Sequence, residues 1–198
     1  MLKEAEKLTE IKAFVFRLFH DDVTGHDDNH MQRVAEWSRL LAVKEGADPF
    51  LSEVAGWLHD VGDDKLFASK EDAIKERDEL LRNLHFSERD ITYIHHAIET
   101  VSFRKGKTPD TLLGKVVQDA DRLDAIGAIG IARTFAFGGA KNQPLYRKEG
   151  GSSFSHFHEK LLLLKDKMNT PSGREEADRR HQFMEEFINQ FNRETASE

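Results

Sequence analysis

His59-Asp60 sets a basic ring nitrogen beside a carboxylate at the end of the apolar stretch Ala55-Gly56-Trp57-Leu58. A carboxylate next to buried surface is costly unless a cation or hydrogen bonds neutralise it. His30 upstream and Asp121 downstream could complete a site with that pair. Two imidazoles and two carboxylates make a mixed nitrogen/oxygen set that suits a divalent transition metal. Four protein donors on a six-coordinate ion leave room for water and a substrate oxygen, and an open position separates a catalytic metal from a structural one. An ion held this way polarises a substrate oxygen and acidifies bound water, which is hydrolytic chemistry.

Each of these residues has a bland reading when taken alone. His30 falls in register with Val34, Trp37 and Leu41, and an isolated inward histidine is usually a satisfied core residue. Asp121 shares its helical neighbourhood with Val117, Ala120 and Asp124, where one acid is often a cap or a salt-bridge partner. A His-Asp dipeptide is frequent by chance. The combination carries more weight, because three separate helices each present ligand-type residues near an expected buried face. Adjacent helical residues diverge by about a quarter turn or slightly more, so His59 and Asp60 flank one ion only beside a helix end. Gly62 just beyond them suits such an end.

The elements that must position these side chains read as helices throughout. Ile11, Phe14, Val15, Leu18 and Phe19 follow the spacing of one buried helical face. A second helix starts near Asp28 or Asn29 and stops at Gly46, and Asp48-Pro49 opens a third with an acidic cap and proline at its first position. Ser69-Lys70-Glu71-Asp72 and Ser87-Glu88-Arg89-Asp90 resemble capping boxes with Asp in the place of Glu or Gln. The helix after Ser87 carries Ile91, Ile94 and Ile98 to about Val101, and the polar, basic stretch Ser102–Asp110 is expected to be a loop. Another helix spans about Thr111 to Leu123, followed by the small residues of Ala125–Ala132, which suit close helix contacts. Gly138–Ser155 is expected to be a long structureless loop, of the kind that is usually functional. Two further amphipathic helices follow, one carrying Phe157, Leu161, Leu164 and Met168, the other Phe183, Phe187, Ile188 and Phe191. No alternating strand pattern and no internal repeat are present. The expected architecture is one all-α domain over residues 1–198, with a motif-bearing core at about 10–137 and C-terminal helices at about 155–194.

Composition narrows the function. The 198 residues suffice for one well-packed domain, with 38% hydrophobic and 33% charged residues. A net charge of -7 argues against a nucleic-acid surface, which needs a basic excess to neutralise phosphates, yet allows a small phosphorylated substrate if a metal supplies local positive charge. The absence of cysteine excludes disulfides and thiolate sites. The longest purely aliphatic run, Leu161–Leu164, is far too short for a membrane span. The charged start, Met1-Leu2-Lys3-Glu4-Ala5-Glu6, lacks an apolar signal core, so the cytoplasm is the expected compartment.

The order His30, His59-Asp60, Asp121 resembles the signature of the HD superfamily of metal-dependent phosphohydrolases. The local contexts are similar too: His26-Asp27-x-x-His30-x-x-Arg33-Val34, Leu58-His59-Asp60-Val61-Gly62-Asp63 and Gln118-Asp119-Ala120-Asp121-Arg122-Leu123-Asp124-Ala125. Ala125–Arg133, together with Glu159-Lys160-Leu161-Leu162 and Leu164-Lys165-x-x-Met168-Asn169-Thr170, resembles a bacterial subgroup of YpgQ-type nucleotide pyrophosphohydrolases. The resemblance covers roughly residues 10–191. It implies an HD-type helical bundle in which His30, His59, Asp60 and Asp121 ligate one divalent ion, usually Mn²⁺, with Mg²⁺, Co²⁺, Ni²⁺ or Fe²⁺ as options. Some members bind further ions through additional histidines, and His85, His95 and His96 are the extras available here.

An acidic pair after the His-Asp motif is linked to water activation in the alarmone hydrolases of the superfamily, which makes Asp63 or Asp64 the candidate general base. Lys65 could bind a phosphate oxygen or pair with those acids, and His26 could orient a ligand, meet the substrate or simply sit in the turn after Gly25. His95 follows Ile94 by one residue and Ile91 by four, an inward-leaning position that favours a phosphate contact. Lys141, Arg147 and Lys148 on the long loop could close over a polyphosphate, although incidental charge on a mobile linker accounts for them better. The expected reaction is hydrolysis of a nucleoside triphosphate with release of diphosphate. The alternatives are a nucleotidase, a cyclic-nucleotide or alarmone hydrolase, or a non-catalytic metal-stabilised nucleotide-binding module. No motif for a protein partner stands out, and a homodimer is compatible with the sequence.

Overall fold

A computed structural model describes residues 2–22, 25–101 and 108–195. Among the described residues every regular element is helical: α1 (Glu4–Phe19), α2 (Asp28–Glu45), α3 (Pro49–Leu58), α4 (Lys70–Asn83), α5 (Glu88–Glu99), α6 (Leu112–Asp124), α7 (Gly127–Ala140), α8 (Ser155–Glu159) and α9 (Pro171–Thr195). The chain divides into two compact units, Met1–Asp121 and Arg122–Glu198. The expected loop Ser102–Asp110 falls largely on residues 102–107, which lie outside the described residues.

Caps delimit the helices of the first unit. Asp27, Asp48, Ser69 and Ser87 each accept a backbone N–H from the first turn of α2, α3, α4 and α5, and Gly46 ends α2 in the left-handed conformation. At Ser87 the substituted box differs from the usual one, because the hydroxyl donates to the Asp90 carboxylate at 2.7 Å. The shorter Asp side chain meets the cap hydroxyl where Glu would reach the cap backbone. One apolar core joins Ile11, Phe14 and Val15 of α1, Met31 and Ala35 of α2, Trp57 and Leu58 of α3, Leu81 of α4, Ile91 and Ile94 of α5 and Val117 of α6. Within the stripe expected on α2, Val34 and Leu41 are buried and Trp37 only partly so. α2 and α3 pack closely at Gly56, where a Cβ would stand 2.6 Å from the Ala35 Cα and 2.8 Å from the Ser38 Oγ.

The second unit departs from expectation in three places. Phe157, Leu161, Leu164 and Met168 are buried, but on short α8 and two single 3₁₀ turns, Leu161–Leu163 and Lys165–Lys167, rather than on one helix. Lys160, at φ −141° and ψ −55°, breaks the helical course between α8 and the first of these turns. The stretch expected to be structureless begins inside α7 and then folds back on itself: Ser153 donates to the Pro144 carbonyl at 2.9 Å and Phe154 to that of Leu145 at 3.0 Å. Ser152 and Ser153 are buried there, so this segment is packed. Phe183, expected on the apolar face of α9, is exposed, whereas Ile188 is buried and Phe187 and Phe191 join ring contacts with Phe135, Phe154 and Phe157.

The contact at Gly56 predicts that Gly56→Ala lowers unfolding free energy by about 1–3 kcal/mol, because backbone stands where the methyl would go. Urea denaturation of the two proteins measures it, and an unchanged midpoint would contradict the packing described.

Candidate metal centre

Local structure aims each side chain. The Asp27 Oδ1 accepts the His30 backbone N–H at 2.8 Å and fixes the first turn of α2. His30 sits in that turn on the buried face with Met31 and Val34. α3 ends at Leu58, with His59 as a C-cap that keeps helical angles (φ −63°, ψ −31°) and Asp60 one residue beyond. A turn follows in which the Asp63 N–H donates to the Asp60 carbonyl at 3.1 Å and Gly62 adopts φ +90°. Glycine is required there twice over: the conformation disfavours a side chain, and a Cβ would lie 2.8 Å from Ile74 of α4. On α6, Gln118 donates to the Thr100 carbonyl at 2.6 Å and Val117 and Ala120 are fully buried, which fixes the helix that carries Asp121.

These constraints bring His30, His59, Asp60 and Asp121 together. The His30 Nε2 lies 3.7 Å from the Asp60 Oδ2 and 3.6 Å from the Asp121 Oδ1. The His59 Nε2 lies 3.4 Å from the Asp60 Oδ1 and 3.7 Å from the Asp121 Oδ1. The two imidazoles meet edge to face at 5.1 Å. Their side chains are 1% exposed, against 13% for Asp60 and 28% for Asp121, so the carboxylates are the more open part of the four.

The tautomer of His59 decides what this cluster can hold. Its Nδ1 stands 2.8 Å from the Gly56 carbonyl oxygen, which only accepts, so in the neutral ring Nδ1 carries the proton and Nε2 presents a lone pair. That Nε2 is buried and makes no hydrogen bond. It faces two carboxylate oxygens, acceptor against acceptor, in a place without solvent to separate them. Donors about 2.1 Å from a common ion stand roughly 3.0 Å apart at right angles and about 3.4 Å apart at the tetrahedral angle. The separations of 3.4–3.7 Å need only a small contraction to meet that requirement. The donor set therefore fits a divalent cation.

His26 joins the cluster from the segment before α2. Its Nδ1 lies 2.7 Å from the Asp60 Oδ2, its backbone N–H donates to the Asp22 Oδ1 at 3.1 Å, and its ring meets that of His30 edge-on at 5.5 Å. Burial by itself pushes the Asp60 carboxyl up, but the charge that His59 carries when protonated, the hydrogen bond from His26 and the corresponding charge on His30 hold it well below the usual carboxylate range.

The remaining expected residues stand apart from the four. The Asp63 Oδ1 accepts the Lys65 backbone N–H at 3.0 Å, the exposed Asp64 pairs with the Lys70 Nζ at 3.7 Å, and the Lys65 side chain is exposed. The His95 Nδ1 accepts from the Arg77 guanidinium at 2.7 Å, and its Nε2 lies 3.3 Å from the Glu99 Oε1. Among the described residues, no hydrogen bond or ion pair joins the side chains of Asp63, Asp64, Lys65 or His95 to the cluster. Of the additional histidines, His85 is exposed and His96 pairs with Asp110 at 2.7 Å. Lys141, Arg147 and Lys148 are exposed on their own segment. Arg77 escaped the sequence reading. It is 1% exposed, paired with Asp78 and His95, and lies at the i, i+4 spacing of the buried Ala73 and Leu81, a register that marks it as inward.

Residues 27–126 match the HD domain family. The curated protein YpgQ of Bacillus subtilis, itself described as uncharacterized, is 41% identical over 197 residues, which is 98% of this chain and 96% of that protein. The crystal structure of Bacillus subtilis YpgQ in complex with ADP superposes with a TM-score of 0.84 at 40% identity, covering 96% of this chain and 98% of that one. An HD-superfamily hydrolase from Bacillus thuringiensis is similar with a TM-score of 0.83 at 40% identity, covering 98% of this chain and all of that one.

The fit to a cation predicts that Mn²⁺ at 100 times its Kd stabilises the metal-free protein by about 2.7 kcal/mol, a rise in Tm on the order of 5–10 °C. Asp121→Ala should abolish that rise. Calorimetry with and without Mn²⁺ measures both, and an equal rise in the variant would remove Asp121 from the site.

Proposed function

The chain belongs to the HD domain family, through residues 27–126 and a relative 41% identical along nearly its whole length, and we propose that it is a metal-dependent phosphohydrolase releasing diphosphate from a nucleoside triphosphate. His30, His59, Asp60 and Asp121 are the proposed ligands of one divalent ion, Mn²⁺ in the first instance, with Mg²⁺, Co²⁺, Ni²⁺ or Fe²⁺ as alternatives. The observation that carries the reading is the buried His59 Nε2, whose lone pair faces two carboxylates. A bound ion supplies the positive charge that polarises a phosphoryl oxygen and acidifies water. The ADP held by the crystallised YpgQ supports a nucleotide as the ligand class.

The chain's own groups have separable tasks in this reading. Substrate approaches at the carboxylates, which are more exposed than the imidazoles of His30 and His59. Asp63 orients the attacking water and takes its proton. Its backbone is hydrogen-bonded to Asp60, and its side chain is half-buried, whereas Asp64 is exposed and held by Lys70. The new bond forms at the α-phosphorus as the bond to the bridging oxygen breaks, and the leaving diphosphate takes the electron pair. Lys65 supplies a point charge to the leaving group. His95, whose Nδ1 is engaged by Arg77, donates through Nε2 to a phosphoryl oxygen. His26, first considered as a substrate contact, is already committed to Asp60. No described helix is by itself long and apolar enough to cross a membrane. The cytoplasm, where nucleoside triphosphates are made and used, is the proposed compartment, and no nucleic-acid partner is proposed.

A Mn²⁺-supplemented screen of nucleoside tri-, di- and monophosphates with product identification tests the reaction. Diphosphate together with a nucleoside monophosphate is expected. Orthophosphate from monophosphates alone would replace this reading with a nucleotidase, and tight ADP binding without turnover under any divalent ion would replace it with a binding module. Asp63→Asn should lower kcat by roughly 100- to 10,000-fold with Mn²⁺ affinity retained. The same loss in Asp64→Asn with none in Asp63→Asn would move the base by one residue.

A further inference from the structure

We propose that His26 is a positioning residue for the metal centre: its Nδ1–H holds the Asp60 carboxylate in the orientation that binds the ion, and His26 itself is not a ligand. This rests on the metal assignment above and goes beyond it in dividing the histidines by task.

Distance separates the two roles. Donors on one ion cannot approach much closer than roughly 3.0 Å, as their bond lengths of about 2.1 Å require at right angles. The His30 and His59 contacts with the two carboxylates, at 3.4–3.7 Å, lie above that bound. The His26 Nδ1 lies 2.7 Å from the Asp60 Oδ2, below that bound and within the range of a charge-assisted hydrogen bond. A carboxylate oxygen only accepts, so the proton between them belongs to Nδ1.

The segment that carries His26 is built to hold this bond. Gly25 takes φ +95°, the His26 N–H is hydrogen-bonded to Asp22, and Asp27 caps α2 one residue later. The ring stands edge-on against His30, so the position of His26 is referred to one proposed ligand while its proton is given to another. Asp60 has reason to need such help. It follows the last turn of α3 in a two-residue exit, and its two oxygens face different imidazoles, Oδ1 toward His59 and Oδ2 toward His30. Rotation of the carboxylate would break both relations at once, and the His26 bond opposes that rotation. Hydrogen bonds to ligating groups are worth about 10- to 100-fold in metal affinity.

Isothermal titration of the metal-free full-length chain with Mn²⁺ tests the assignment, in wild type, His26→Ala, His26→Asn, His26→Gln and Asp121→Ala. His26→Ala should weaken Mn²⁺ binding by about 10- to 100-fold. Asn places an amide N–H near the position of the imidazole Nδ1 and should recover most of the loss. Gln places its amide nearer Nε2 and should not. Equal losses in Ala and Asn would make His26 a ligand, and no loss in Ala would make it incidental; either result overturns the proposal. If Asp121→Ala abolishes Mn²⁺ binding while His26→Ala leaves it unchanged, this inference alone fails. If Asp121→Ala leaves binding unchanged as well, the metal assignment fails with it.

Discussion

The first unit of this protein is organised around an electrostatic conflict: a buried imidazole nitrogen without a hydrogen bond turned toward carboxylate oxygens. His59 states the conflict most clearly, because its Nδ1–H is spent on the Gly56 carbonyl and its buried Nε2 is an acceptor in the neutral ring. Acceptors facing acceptors repel, and in a buried setting the repulsion is weakly screened. Such an arrangement persists only when surrounding structure enforces it, and it becomes favourable when a cation enters. The fold supplies the enforcement: a capped first turn on α2, a helix that stops one residue before His59, and a hydrogen bond from Gln118 that fixes α6.

The end of α3 carries two of the four residues. His59 is its C-cap and keeps helical backbone angles, with Asp60 one residue beyond. There the His59 Nε2 and the Asp60 Oδ1 stand 3.4 Å apart. Gly62 makes the exit possible, since its left-handed conformation turns the chain and its missing side chain lets Ile74 of α4 close against the turn. The apolar stretch Ala55–Leu58 then serves two ends, burying α3 in the core and placing the ring of His59 where water does not reach.

Much of this was legible in the sequence because caps and ligand-type residues are written locally. Asp27, Asp48, Ser69 and Ser87 stand at the starts of helices, and Gly46 at an end, as their chemistry requires. The convergence of His30, His59, Asp60 and Asp121 could be anticipated because each stood beside an apolar register. What local pattern does not encode is where a helix gives way under packing. The spacing of Phe157, Leu161, Leu164 and Met168 suits one continuous helix, yet the same burial is reached through α8 and two 3₁₀ turns, since burial constrains which side chains face inward and not the path between them. The segment after α7 looked unstructured because its order comes from hydrogen bonds between backbone groups that carry no side-chain signature, such as Ser153 to Pro144. Arg77 was missed for a different reason. Its register was inward, but a guanidinium is read as surface until its partners, Asp78 and His95, are seen to converge on it.

The same contrast of distances orders the polar groups around the centre. Contacts near 2.7 Å mark protons already shared: His26 with Asp60, and Arg77 with His95. Contacts among His30, His59, Asp60 and Asp121 are longer, at 3.4–3.7 Å, the spacing of donors around a common ion. Were the cluster merely a buried salt-bridge network, its histidines would be expected to close on the carboxylates to hydrogen-bond length, as His26 does. In the neutral ring the one proton of His59 is held at Gly56, and that backbone bond leaves Nε2 as the donor atom for the proposed ion. The identity of the carbonyl matters as well. Gly56 is also a point of close approach between α2 and α3, so a contact that joins these two helices also fixes the backbone that selects the tautomer. Packing and coordination chemistry are thereby tied to one residue, and loosening the first should disturb the second.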